Sequence, residues 1–185
     1  MDEKELVEKA KNDKAAFEQL YEIYFDRIYK YIYHKTFNQH VTEDLTSETF
    51  FKILHNINKY TAKDGIPFSA WIFKIASNVV NDYYRKKKNH INIDSLSFEY
   101  DHNNQPQDIA IENSQKKILN EALQKLTPEQ REVVILRYAG EMKLNEIAKL
   151  KNKSDVAIRG LFFRAINSLR DILIKEVQLD EQTKR

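Results

Sequence analysis

The stretch LNEIAKLKNKSDVAIRGLFFRAINSLRDI, residues 144–172, decides the fold of the C-terminal third of the chain. Apolar residues recur at steps of three and four on both sides of a polar turn, which predicts a short helix, a tight turn and a longer helix. Asn152 in the turn can adopt a left-handed conformation, and Ser154 is placed to cap the second helix. The stretch therefore predicts a helix-turn-helix, whose second helix enters the DNA major groove through its N-terminal residues.

An ordinary helical hairpin is the alternative interpretation of this stretch. Residues 143–170 carry seven basic and two acidic side chains. Because a basic surface is the electrostatic footprint of nucleic-acid binding, the charge favours the helix-turn-helix.

Helical periodicity continues upstream of this stretch. Apolar stripes predict helices over about 17–32, 42–56, 68–88 and 118–126. Thr127-Pro128-Glu129-Gln130 has the pattern of a capping box and predicts a further helix to Ala139, ended by Gly140 in a left-handed conformation. No segment alternates with period two, and three Gly and three Pro in 185 residues are too few for an all-β fold. The sequence predicts an all-α protein.

Charge divides the chain into segments, although the net charge is only +2. Residues 1–50 sum to −4, 51–94 to +5, 95–114 to −4 and 115–185 to +5. The stretch 95–114 has no Lys or Arg and no apolar period, which is typical of a linker. We therefore predict two small helical domains, 1–94 and 115–185, joined by a flexible acidic linker at 95–114.

Several classes of function have no support in the sequence. Cysteine is absent and the five histidines have no metal-binding spacing, so neither disulfides nor a metal site are expected, and a reducing cytoplasm is the expected compartment. The charged N-terminus is unlike a signal peptide, and no apolar run approaches the roughly 20 residues that span a bilayer. No phosphate-binding loop or catalytic set is present, so we do not expect an enzyme.

Two side-chain clusters are candidates for binding. Cations at 85–88 follow a segment rich in aromatic residues, a combination that single-strand binders use to stack bases along a charged groove; a solvated basic helix end is the alternative. On the predicted second helix, Asp44 and Glu48 are four residues apart and share a face that could meet a basic partner.

Three stretches, in this order, carry a family resemblance. DLTSETF at 44–50, FSAWIFKIASN at 68–78 and LTPEQREVVILRY at 126–138 resemble three signatures of the bacterial extracytoplasmic-function sigma factors. In that family they bind the polymerase clamp helices, open and hold the −10 element, and begin the fourth domain, whose helix-turn-helix binds the −35 element. Ser47 departs from the Gln that is usual in the clamp-binding signature. In the second helix of the helix-turn-helix, Leu161 and Phe163 replace polar residues, so weaker or more apolar −35 readout is expected.

The resemblance implies a cytoplasmic alternative sigma factor that binds core RNA polymerase and directs promoter recognition, −10 melting and transcription initiation. The implied partners are core polymerase, promoter DNA (duplex at −35, single-stranded at −10) and an anti-sigma factor, with no cofactor, small-molecule substrate or membrane insertion. The implied site residues are Asp44, Leu45, Glu48, Thr49 and Phe50 for polymerase; Tyr60, Lys63, Trp71, Asn78, Arg85, Lys86, Lys87 and Lys88 for −10 DNA; and Ser154, Ala157, Arg159, Gly160, Phe163 and Arg164 for −35 DNA.

Two other functions remain open at this point. A stand-alone helix-turn-helix regulator would bind its operator as a dimer without polymerase. A helical adaptor would bind only protein.

Overall fold

The computed structural model describes residues 2–62, 65–90 and 110–183, and the side chains of all of these except 88–90, 110–116 and 176–183. Every regular element among these residues is a helix, and they form no strand, which confirms the all-α prediction. The helices are α1 (Glu3–Ala10), α2 (Lys14–Thr36), α3 (Gln39–Asn56), α4 (Phe68–His90), α5 (Ala110–Lys125), α6 (Pro128–Tyr138), α7 (Leu144–Lys151) and α8 (Asp155–Thr183), with a short 3-10 helix, Ile57–Lys59, after α3.

Helices α1 to α4 form the first unit, in which α2 packs against α1, α3 and α4. Its core holds fully buried side chains from α2 and α4, among them Tyr24, Ile28 and Phe73. Local signals set the helix ends: the Asn38 side chain accepts a hydrogen bond from the Val41 amide at 3.0 Å and so caps the start of α3. Helix α1 was not among the predicted helices, and it packs through Leu6, Val7 and Ala10.

Helices α5 to α8 form the second unit, with α8 packed against α5, α6 and α7. The predicted capping box is present, since Thr127 and Gln130 exchange hydrogen bonds at the start of α6. Asn152 has a φ of 52° and ends α7 in the predicted left-handed conformation. Ser154 Oγ accepts from the Ala157 amide at 3.2 Å, as a helix cap does.

Two predictions about helix ends need correction. Gly140 is not left-handed; the positive φ falls on Glu141 instead, at 52°. Gly140 is required for space, because a Cβ there would lie 2.8 Å from the Leu136 carbonyl oxygen. Helix α5 begins at Ala110, inside the stretch predicted as linker, since residues 110–117 contain no helix breaker. The rest of the predicted linker lies outside the described residues.

The two units are in direct contact. Helix α4 packs against α7, and α2 against α6. Tyr31 and Lys35 on α2 both bond to the carboxylate of Glu132 on α6. The contact leaves other faces of α3, α4 and α8 exposed, and these faces carry the candidate site residues.

Candidate nucleic-acid and polymerase interfaces

The first candidate surface is the outer face of α3. Asp44 and Glu48 are exposed, one helical turn apart, and Glu48 pairs with Lys52 at 2.7 Å. The structure places Leu45, Thr49 and Phe50 in the core, with the Phe50 ring 4.5 Å from that of Tyr21. Of the five residues implied for polymerase binding, two can therefore touch a partner directly, and three hold the helix in position.

Sequence reasoning missed an apolar extension of this surface. Phe51 is 62% exposed and Leu54 is 50% exposed, on the turn that follows Glu48. The Phe51 ring lies 4.1 Å from the imidazole of His55, centroid to centroid. The signal was available in the sequence, because positions 44, 48, 51 and 55 share one face of a helix.

The second candidate surface surrounds the segment between the 3-10 helix and α4. Tyr60 is 6% exposed, and its hydroxyl donates to the Ile66 carbonyl at 2.9 Å. Burial, with smaller effects of Glu3 and Glu8, raises the pKa of Tyr60, which favours the protonated hydroxyl that donates this hydrogen bond. The Tyr60 ring is thus buried and supports this segment from the core side, so it is not accessible to a ligand. Lys63 lies outside the described residues.

Trp71 begins the exposed stripe of α4. Its ring stacks on Phe68, with centroids 5.5 Å apart, and it is only half-buried, so one side stays accessible. Asn78 and Arg85 follow on the same face, both exposed, and Arg85 pairs with Asp82 at 2.9 Å. Lys86 and Lys87 are exposed, whereas the side chain of Lys88 is not among the side chains that the structure describes. An indole edge, an amide and a guanidinium therefore lie along one side of α4, and Lys86 and Lys87 are exposed around its C-terminal end.

The third candidate surface is the N-terminal half of α8. Arg159 and Arg164 are exposed on either side of Gly160, where an added Cβ would meet only the Arg164 guanidinium, at 3.4 Å. Ala157 is exposed, and Phe163 is 68% exposed. Ser154 faces solvent but is engaged as the helix cap. All six residues implied for −35 binding thus lie at or near the surface of one helix.

Val156 is the residue of this surface that sequence reasoning did not select. It is 80% exposed and lies one turn before Gly160 and two turns before Phe163, on the same face. The turn in front of it is anchored by an ion pair between Lys153 and Glu129, at 2.8 Å. This pair lowers the pKa of the Glu129 carboxyl, through the hydrogen bond and then the charge of Lys153.

Comparison with known proteins agrees with this layout. Residues 20–90 match the family model of sigma-70 region 2, and residues 116–169 match that of sigma-70 region 4. The two matches together cover more than half of the chain. The chain belongs to the sigma-70 family, and is of the extracytoplasmic-function type.

Relatives of this sigma factor cover most of its length. It is 35% identical to the ECF RNA polymerase sigma factor BldN of Streptomyces coelicolor, over 91% of its own chain and 65% of that protein, so it spans just under two thirds of BldN. It is 28% identical to the ECF sigma factor SigM of Bacillus subtilis, over 83% of its own chain and 92% of SigM. The sigma factor RpoE of Bartonella quintana, solved with the anti-sigma factor NepR, has the same fold, with a TM-score of 0.62 at 20% identity over 85% of this chain and 96% of that one.

As a family member, the protein is an alternative sigma factor, a regulatory factor of transcription initiation. Within the part of the chain that the structure describes, no helix combines the length and the apolarity needed to cross a bilayer.

Proposed function

We propose that this sigma factor binds core RNA polymerase through α3, captures unpaired −10 bases at α4 and docks α8 in the −35 duplex. The observation that supports this most is the combination of three exposed surfaces on matched family regions: an acidic and apolar stripe on α3 and two basic faces on α4 and α8. The proposal keeps two functional domains, 1–94 and 115–185.

The polymerase contact rests on Asp44 and Glu48. Both carboxylates are exposed and can pair with cations of a partner helix, and the neighbouring Phe51 and Leu54 supply apolar surface that becomes buried on association. Charged groups at a rim speed association, whereas buried apolar anchors supply most of the binding free energy. The α3 surface contains both kinds of group within two turns.

The −10 contact rests on the half-exposed ring of Trp71 and the polar groups beyond it. Unstacking a base costs a few kcal/mol, and stacking on an aromatic ring offsets about 1–3 kcal/mol per base. Asn78 can hydrogen-bond to a base edge, and Arg85, Lys86 and Lys87 can follow the backbone phosphates. Tyr60 acts indirectly, by fixing the segment through the Ile66 carbonyl.

The −35 contact combines cations with apolar side chains. Arg159 and Arg164 can bind phosphates or guanine edges. Val156 and Phe163 face outward without core partners, and apolar side chains in the major groove contact the thymine methyl group. We expect Gly160 between them to let the helix backbone approach the DNA closely.

An anti-sigma partner and a cytoplasmic location complete the proposal. RpoE of Bartonella quintana is bound by an anti-sigma factor, and the fold is shared. RNA polymerase and its template lie in the cytoplasm, so this sigma factor acts there. The factor itself has no enzymatic role in the proposal.

The decisive experiment measures polymerase binding by a charge-reversed variant. Asp44→Arg should weaken binding to core polymerase at least tenfold, because a carboxylate facing cations becomes a like charge. Glu22→Arg, the same change at an exposed site on α2, is the matched control and should bind as wild type. Size-exclusion chromatography and run-off transcription provide the two readouts.

Equal binding by Asp44→Arg and wild type would show that α3 is not the polymerase contact. Tight operator binding by a dimer without polymerase would instead support the stand-alone regulator.

A further inference from the structure

Helix α1 precedes the residues that match region 2 and packs on α2. Leu6, Val7 and Ala10 are buried in this contact, so an apolar face of its own fixes the helix in place. The docking brings the carboxylate of Glu3, in the first turn of α1, to the hydroxyl of Tyr24 on α2. An element outside the matched region is therefore bonded to a core residue of the first unit.

The hydrogen bond between Glu3 and Tyr24 joins the surface to the core. Tyr24 is fully buried and its hydroxyl donates to Glu3 Oε1, whereas Glu3 lies at the surface. Burial, followed by the hydrogen bond and the charge of Glu3, raises the pKa of Tyr24, which favours the protonated hydroxyl. The Arg27 guanidinium also lies at this ring, but it is a donor and cannot replace Glu3 as the acceptor. Because a buried hydroxyl without an acceptor is strongly disfavoured, the bond holds the Tyr24 side chain in one position.

Ring contacts lead from Tyr24 to Trp71. The Tyr24 and Phe68 rings meet edge to face, with centroids 5.7 Å apart. Phe68 stacks on Trp71 at 5.5 Å, and the Tyr60 ring lies 5.1 Å from Phe68 and 5.5 Å from Trp71. Of these four rings only that of Trp71 is partly accessible. Since closely packed interiors transmit displacements, the position of Tyr24 determines how the Trp71 indole is held.

We propose that Glu3 is a positioning residue for −10 recognition, which fixes the Trp71 indole through the Tyr24 hydroxyl and the Phe68 ring. The inference rests on the proposed function, in which an unpaired base stacks on Trp71. Aromatic pairs gain their extra free energy only in particular ring geometries, so a fixed indole plane strengthens stacking. Glu3 itself makes no contact with the DNA strand in this arrangement.

The chain contains a single tryptophan, so its fluorescence reports directly on Trp71. The test compares the full-length wild type with Glu3→Ala, which removes the acceptor, and with Tyr24→Phe, which removes the donor and keeps the ring. Glu3→Gln keeps an oxygen that can accept the same bond. Glu5→Ala is the matched control, since it removes an equal charge from the same turn of α1 and Glu5 pairs with Lys9 instead.

We expect Glu3→Ala and Tyr24→Phe to increase the acrylamide quenching of Trp71 in the free protein, because the indole is less firmly held. Both should weaken holoenzyme binding to a forked −10 template by about fivefold, the size of effect expected from one hydrogen bond. Binding to core polymerase and to a duplex that contains only the −35 element should be unchanged. Glu3→Gln and Glu5→Ala should match wild type in every measurement.

A double-mutant cycle tests the route from Glu3 to the indole. If Glu3 acts through the Tyr24 hydroxyl, Glu3→Ala should cause no further loss of −10 affinity in the Tyr24→Phe background. Two independent losses that multiply would overturn the proposal. Circular dichroism checks folding; should Glu3→Ala unfold, Tyr24→Phe against wild type still provides the test.

Trp71→Ala separates this inference from the proposed function. If Trp71→Ala weakens −10 binding but folded Glu3→Ala and Tyr24→Phe bind as wild type, the proposed function stands and Glu3 is not a positioning residue. If Trp71→Ala binds the −10 template as wild type, the proposed −10 contact itself fails, and the role of Glu3 in it fails too. Equal losses of −10 and −35 binding, or lower thermal stability with unchanged quenching, would show a merely structural role and overturn the proposal.

Discussion

Gly140 lies where the end of α6 meets the Phe73 ring of the other unit. A side chain there has no room: its Cβ would lie 2.8 Å from the Leu136 carbonyl oxygen and 3.0 Å from Phe73 Cε1. Both neighbours are fixed, one as helix backbone and one as a fully buried ring. We expect Gly140→Ala to lower the free energy of unfolding by roughly 1–3 kcal/mol, as overpacked sites do. Urea titration followed by circular dichroism measures this change.

Gly160→Ala is the matched control for that substitution. It lies inside α8, where alanine is favoured over glycine by up to about 1 kcal/mol and the nearest obstacle is a mobile guanidinium. The two Gly→Ala substitutions should therefore change the free energy of unfolding in opposite directions. A loss of stability at Gly160 equal to that at Gly140 would contradict the packing explanation.

His34 makes stability depend on pH. Burial lowers its pKa, and a hydrogen bond to the Asn120 side chain only partly offsets this, so the folded protein favours the neutral imidazole. Because the folded pKa lies below the unfolded value of about 6.5, the stabilisation is complete above that value. It is lost as the pH falls through the lowered folded pKa.

Urea titrations at pH of about 8 and about 5.5 should thus show a larger loss of stability in wild type than in His34→Gln. Circular dichroism follows the transitions. Parallel pH dependence in the two proteins would contradict the assignment to His34.

At the scale of the element, α4 serves two purposes with opposite faces. Trp71, Asn78 and Arg85 lie seven residues apart, so they share one side of the helix at about 100° per residue. Phe73, Ser77 and Tyr84 share the other side, which packs toward the core and the second unit; the Tyr84 hydroxyl donates to the Lys35 carbonyl at 2.8 Å. The proposed −10 face of α4, which carries Trp71, Asn78 and Arg85, therefore remains exposed while the two units are in contact.

The exposed apolar side chains of α8 lead to a specific prediction about base recognition. If Val156 and Phe163 contact thymine methyl groups, replacing thymine by deoxyuridine in the −35 element should weaken holoenzyme binding about fourfold per methyl. That factor corresponds to about 0.8 kcal/mol per buried carbon. Val156→Ala/Phe163→Ala should bind more weakly but show no preference between the two bases. Fluorescence anisotropy with paired duplexes measures the difference.

Ile174→Ala supplies the control on the same helix. Ile174 is 51% exposed and shares the face of Val156, but lies five turns further along α8. This variant should keep the preference for thymine. Equal affinity of the wild-type holoenzyme for the thymine and deoxyuridine duplexes would show that −35 recognition rests on other contacts.

At the scale of the whole molecule, the net charge of +2 hides an uneven distribution. Residues 1–50, which contain most of the α3 surface, sum to −4, and 51–94, which contain the proposed −10 face, sum to +5. Each phosphate neutralised on single-stranded DNA changes the log–log salt dependence of binding by about 0.7. The two exposed lysines at the end of α4 should thus contribute measurably to that dependence.

Lys86→Ala/Lys87→Ala should reduce the slope of log affinity against log salt by about 1.4, measured with holoenzyme on a forked −10 template between about 50 and about 200 mM salt. Lys9→Ala/Lys30→Ala, which removes the same charge from exposed sites on α1 and α2, should leave the slope unchanged. Equal slopes for all three proteins would remove these lysines from the DNA interface.

Sequence patterns anticipated the helices and much of the candidate site. Thr127, Asn152 and Ser154 act as predicted, because caps and turns depend on residues within four positions of one another. Helix α1 was missed because eight residues carry little periodic signal. The prediction for Gly140 was wrong because a rule for helix ends does not include the ring of Phe73, 67 positions away.

By itself, the sequence determined the helical class, the caps, the order of the family stretches and the type of residue available to each partner. These properties follow from local periodicity and side-chain chemistry. Only the tertiary structure decided that Leu45, Thr49, Phe50 and Tyr60 support their surfaces from within, and that Glu132 is buried against α2. Burial depends on which helix faces meet, and those contacts join residues far apart in the chain, where local patterns carry no information.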